Sequence, residues 1–204
     1  MSQPENPRGV DRLARAIAAL DAENAADPQL LEHAGERRPK EWLQARLATR
    51  FLLRLAPGAG ELLQLAVRAH HLRRWEIPRA RYPEGRQGYH RWRRELQDFH
   101  AAALAPILEC TGFGPPEIAR VQALVRKQEL GVDPEVQLLE DALCLVFLET
   151  ELEDVAHKLP PARLATVLGR SLRKMSARGR AEALRCELSP RARELLEQAL
   201  QALG

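Results

Sequence analysis

Imidazole, carboxylate and guanidinium are the groups of this chain with chemistry to offer, and they are unevenly spread. Residues 67–100 hold nine arginines, four of the six histidines and five of the nine Phe, Trp and Tyr residues. Guanidinium is a rigid fork of donors matched to phosphate or carboxylate, and Trp and Tyr supply flat stacking faces. The mixture fits a pocket for an anionic, planar ligand; the plainer alternative is a basic surface over buried aromatics. His71, His100 and Asp141 stand out because each falls on the core-facing stripe of a different predicted helix. Two imidazoles and a carboxylate suit a divalent transition metal (Mn, Fe, Ni or Zn) with positions left open for water or substrate. Such an ion would activate water against a phosphate while arginines neutralise the developing charge. His70 is the exposed neighbour in this reading, unless the doublet is turned the other way. Asp141 has a competing role as ion-pair partner of Arg74 or Arg93.

Arg74 and Arg93 share the stripes of His71 and Tyr89, and Arg79 and Arg86 lie in the segment between. With Lys127, these are the expected phosphate ligands. Trp75, Tyr82 and Tyr89 are the expected stacking faces.

Helices must carry these groups, because Leu, Ala, Arg and Glu dominate while Val and Ile are few. Residues 1–9, with two prolines and a glycine, read as loose. Leu13, Ile17 and Leu20 mark a helix over 11–24, and the polar stretch 27–38 reads as a connection. Pro39 opens a second helix with Trp42, Leu43, Leu47, Phe51 and Leu55 inward. A third runs from Glu61 to Trp75 with Leu63, Val67, His71 and Arg74 in one line. Prolines and glycines keep 76–88 non-helical, and a fourth helix starts near Tyr89 with Trp92, Arg93, Leu96, His100 and Leu104 inward. A fifth starts at Pro116 and stops at Gly131. Asp133 and Pro134 form a cap and first-turn pair for a sixth helix over 134–153, whose run Ala142–Leu148 is apolar all round and belongs at a domain centre. Two more follow over 161–177 and 190–203. The expected fold is a single all-α domain, residues 1–204, of about seven to nine helices around the central buried helix 134–153.

The net charge is only +3, so the basicity is local, and a local anionic partner is favoured over a coat of nucleic acid. Cys110, Cys144 and Cys186 are odd in number and far apart, which argues against a disulfide framework or a cysteine zinc site. The first residues lack an apolar signal core, and no apolar run approaches membrane length, so a soluble cytoplasmic protein with no membrane partner is expected.

The strings His71-Leu72-Arg73-Arg74-Trp75-Glu76-Ile77-Pro78-Arg79, Tyr82-Pro83, Gly88-Tyr89, Trp92-Arg93, Phe99-His100 and Leu139-Glu140-Asp141 resemble an uncharacterised family, domain of unknown function 4202, over nearly the whole chain. That resemblance transfers no activity. A more distant similarity is to HD-type metal phosphohydrolases, which are all-helical and take ligands from a first His, a His-Asp pair and a late Asp. It implies an HD-like fold with His71, His100 and Asp141 in the first, second and last places. His100 is followed by Ala101, so the defining pair is broken. Another carboxylate, Glu76 or Glu140, would have to complete the site, and these two are the expected catalytic residues.

The leading functional expectation is a metal-dependent hydrolase, a phosphohydrolase acting on a nucleotide or other phosphorylated metabolite. The alternative is a non-catalytic module that grips RNA, such as tRNA, or a nucleotide through residues 68–94.

Overall fold

Leucine and alanine at helical spacing give the chain its elements. The computed structural model describes residues 7–203, with side chains from residue 11 onward. Ten α-helices and one hairpin are found among these residues: α1 (Pro7–Asn24), β1 (Leu30–His33), β2 (Glu36–Pro39), α2 (Lys40–Leu55), α3 (Glu61–Ala69), α4 (Gly85–Cys110), α5 (Pro115–Val125), α6 (Pro134–Thr150), α7 (Leu152–Lys158), α8 (Pro161–Lys174), α9 (Ala177–Ala183) and α10 (Pro190–Gln201). The all-α expectation holds. Residues 1–6 of the stretch read as loose lie outside the described residues, and 7–9 open α1 instead. No helix among the described residues is long and apolar enough to cross a membrane.

The chain gathers into two compact units, one taking residues up to 46 and 60–128, the other 47–59 and 129 onward. In the first, α1 packs on α3 and α4, and α5 packs on the same two helices. Leu20, Leu63, Val67, Leu72, Trp92, Leu96, Leu104, Val121 and Leu124 are buried there. Arg12 ties α1 to both α3 and α5 by donating to Glu61 and Glu117 at 2.8 and 2.9 Å.

Three sequence expectations change here. The connection 27–38 contains an antiparallel hairpin, Leu30 opposite Pro39, turning through Ala34 and Gly35 at positive φ. Pro39 therefore ends a strand, and α2 starts at Lys40. Helix α3 stops at Ala69, not Trp75. Leu72 N–H folds back to the Ala69 carbonyl, Arg73 turns left-handed at φ 54°, and Asn24 Oδ1 accepts its N–H. Helix α4 starts one turn early, at Gly85. Residues 77–84 are clamped onto its first turns, where a Cβ on Gly88 would lie 1.9 Å from the Pro83 carbonyl oxygen.

In the second unit, α7, α8 and α9 pack against α6, and α10 packs on α7 and α8. Leu139, Ala142, Leu145 and Leu148 are essentially inaccessible, as the unbroken apolar run requires. Asp133 Oδ1 caps α6 by accepting from Glu135 N–H at 2.8 Å. Buried acids are matched by cations at the rim: Glu149 by Arg50, Glu182 by Arg54 and Glu140 by Lys174.

Candidate functional site

Removing an imidazole from water disfavours its charged form, and a neighbouring cation adds to that. The stretch between α3 and α4 does both. His70 is 4% exposed and His100, on the buried stripe Trp92–Leu96–His100–Leu104 of α4, is 2% exposed. Burial pushes His70 well below the usual histidine range, with the charges of Lys127, Arg93 and Arg74 adding. Burial likewise holds His100 down at about 3, against a hydrogen bond to Leu72 and with Arg74 and Arg93 adding. Both rings are neutral at pH 7.

His71 completes the group. Its ring centroid is 4.4 Å from that of His70 and 6.0 Å from that of His100. Arg74 Nη1 lies 2.8 Å from His71 Nε2, and a guanidinium can only donate, so Nε2 accepts. The proton is therefore on Nδ1, which donates to Glu41 Oε2 at 3.0 Å. Glu41, in the first turn of α2, is buried, and its second oxygen is 3.7 Å from Arg74 Nε. Arg74 also stacks on Trp92, its guanidinium carbon 5.0 Å from the ring centroid. His71 and Arg74 each keep 24% of the side chain exposed and form the outward edge of the cluster.

Two ring nitrogens have no hydrogen-bond partner among the described residues, Nδ1 of His70 and Nε2 of His100. His100 Nδ1 is 2.7 Å from the Leu72 carbonyl, which can only accept. That fixes the tautomer and leaves Nε2 as a lone pair. Arg93, half-buried on α4, has no carboxylate partner among the described residues.

The remaining expected site residues are placed as follows. Lys127 sits just past α5, and its charge bears on His70. Arg79 staples its own loop, donating to the Tyr82 and Pro83 carbonyls at 2.8 and 2.9 Å. Arg86 is exposed, 3.3 Å from His90. Tyr82 donates to Glu95, Trp75 is half-buried, and Tyr89 is 47% exposed beside Trp92. Glu76 pairs with Arg73 at 2.6 Å.

Asp141 and Glu140 belong to the second unit. Asp141 Oδ1 accepts from Ser176 N–H and Gln137 Nε2 at 2.8 and 3.0 Å, and Oδ2 accepts from Ser176 Oγ at 2.5 Å. Its carboxylate thus fastens the capping serine of α9. Neither Arg74 nor Arg93 is its partner. Among the described residues no group of three or more His, Cys, Asp or Glu side chains is disposed to hold a metal ion. The cluster instead offers a concentrated positive field, with imidazole lone pairs and one acid already held by His71 and Arg74.

A family model described as domain of unknown function (DUF4202) matches residues 14–196. The chain belongs to this family. Neither curated proteins nor solved structures give a match. The matched span includes every side chain of the cluster.

Sequence reasoning missed Glu41 and put His71, not His70, on the buried side. The available signal for Glu41 was its spacing to Gln44, Ala45 and Ala48, which form the buried stripe of α2.

Proposed function

We propose that the α3–α4 cluster binds the phosphate of a nucleotide or other phosphorylated metabolite and hydrolyses it. One observation carries the reading. A half-buried guanidinium with no acidic partner among the described residues, Arg93, acts together with Arg74 on neutral imidazoles, one of which holds a lone pair unpartnered among them. Unneutralised positive charge in a partly desolvated site favours a bound anion, and guanidinium forks stabilise the charge of phosphoryl transfer. The donor set favours a route led by imidazole and guanidinium over the metal-activated water expected from sequence, because Asp141 is occupied as a cap.

Inorganic phosphate should raise the melting temperature more than chloride at equal ionic strength, by mass action on the folded state. Arg93→Gln should abolish that difference and lower phosphate release from the responsive substrate by about a hundredfold or more. The same variant should melt no lower than wild type without phosphate, since it removes repulsion among cations. If phosphate and chloride act alike on wild type, the anion site is refuted.

A second reading rests on Tyr89, exposed with Arg86, His90 and Arg94 around it on α4. An exposed ring among cations suits stacking on an unpaired base. Filter binding of single-stranded RNA should then weaken steeply with salt through counterion release and fall at least tenfold in Tyr89→Ala. Absence of binding at low salt removes it.

A further inference from the structure

The hydrolysis proposed above needs a group to attack phosphorus, and the cluster distinguishes one imidazole from the other two. We infer that His100 Nε2 is the nucleophile and takes the phosphoryl group itself, so that the enzyme is transiently phosphorylated on this side chain. The inference rests on the reading of the cluster as a phosphohydrolase site.

Its tautomer is the first support. The Leu72 carbonyl accepts the Nδ1 proton at 2.7 Å, so the Nε2 lone pair is held in one direction. Neither of the other rings has this arrangement. His71 Nε2 already accepts from Arg74, and no hydrogen bond among the described residues fixes the tautomer of His70. The second support is that His100 Nε2 is a buried acceptor without a partner among the described residues. A buried acceptor left unsatisfied is destabilising, and a bound group that meets it would offset that cost. The third is the charge around it. Arg74 and Arg93 both bear on the ring and carry the sign that would receive the phosphoryl oxygens. Burial, with these charges adding, keeps the ring unprotonated, and only the unprotonated ring can attack.

The chemistry closes without a further reagent. The Nε2 lone pair forms the N–P bond as the bond from phosphorus to the leaving oxygen breaks, and its electron pair departs with that oxygen. The Nδ1 proton stays on the ring, hydrogen-bonded to the Leu72 carbonyl, so the phosphorylated ring is cationic and a good leaving group. Water then attacks phosphorus, the N–P pair returns to Nε2, and both water protons remain on the released phosphate. The leaving group must depart as an anion. The imidazoles are neutral, and Glu41 is held by His71 and Arg74, so none of these protonates an alkoxide. That selects a phosphoanhydride or acyl phosphate over a simple alkyl ester as the substrate class.

The full chain would be incubated with acetyl phosphate and, separately, with inorganic pyrophosphate, then quenched in alkali. A phosphoryl mass that is alkali-stable and acid-labile is expected on the His100 peptide, together with steady release of phosphate. His100→Asn, which keeps a donor for the Leu72 carbonyl, should lose the label and cut phosphate release by about a hundredfold or more. Phosphate release without label at His100, unchanged in His100→Asn, overturns the nucleophile and leaves the hydrolase reading standing. Label at His100 without phosphate release supports the nucleophile and overturns hydrolysis in favour of phosphoryl transfer to another acceptor. Neither label nor release from either probe overturns both. The position of the label on wild-type protein decides the matter even if the variant fails to fold.

Discussion

Lowering the pH from about 7.5 to about 5 should cost the first unit roughly 2 kcal/mol of stability through His100, with His70 adding in the same direction. The sign follows from burial. His70 and His100 have folded pKa values below the unfolded value near 6.5, His100 at about 3. The unfolded chain therefore binds protons first as pH falls. Their contribution is fully present above about pH 6.5 and is lost as pH falls from there toward the folded value. A group that titrates only in the unfolded chain gives a slope of about 1.4 kcal/mol per pH unit, so His100 loses about 2 kcal/mol by pH 5 and His70 adds to the loss. The groups facing them are Lys127, Arg93, Arg74 and the neighbouring imidazoles, all on the same side of the balance. His71 adds in the same direction: burial, then the charge of Arg74 facing the Nε2 that would take the proton, pushes it well below the usual histidine range. Urea unfolding by circular dichroism at several pH values measures the slope. His100→Asn should remove its share of about 2 kcal/mol, and saturating phosphate should flatten the rest by supplying the missing negative charge. A wild-type profile flat between pH 7 and 5 would contradict the neutral, desolvated state of these rings.

Asp141→Ala should lower stability by about 3–4 kcal/mol, with no dependence on added metal or chelator. The carboxylate accepts three hydrogen bonds in the second unit, two of them from Ser176, and Ser176 Oγ in turn accepts from Gly179 N–H at 3.0 Å. Removing it leaves buried donors unmatched and loosens the start of α9. Gly179 packs so closely that a Cβ there would lie 2.6 Å from Asp141 Cγ. Gly179→Ala should therefore be costly in wild type and nearly silent once residue 141 is alanine. The double variant should be more stable than the sum of the single losses by about 1 kcal/mol or more. Thermal and urea unfolding of the four proteins settles it. Strict additivity, or restoration of stability by a divalent ion, would mean that Asp141 serves something other than this cap.

The regular parts of the fold were open to sequence reasoning wherever apolar spacing or a cap was unambiguous. Asp133 and Pro134 start α6 as their residue types require, and Trp92, Leu96, His100 and Leu104 are the buried line of α4. The hairpin 30–39 was not legible, because its strands are short and largely exposed and carry no apolar alternation. The end of α3 was hidden for another reason. A left-handed arginine is uncommon, and Arg73 adopts that turn with its N–H held by Asn24, on a different helix. That turn exchanged the roles assigned to His70 and His71. For Asp141, burial could be inferred from the apolar run beside it, but Ser176 lies far along the chain and no local pattern names it. Glu41 was passed over because a stripe read only from its apolar members skips a buried acid.

The division of residues between the two units has a practical consequence. All three tryptophans, Trp42, Trp75 and Trp92, fall in the first unit, and both buried cysteines, Cys144 and Cys186, in the second. Burial, aided by Glu149 and Glu182, pushes the Cys186 thiol up to about 12, so it stays inert until its surroundings open. Indole emission thus watches one unit while thiol trapping times the opening of the other. With Cys110, the exposed cysteine, changed to serine, each unit keeps its own kind of native probe.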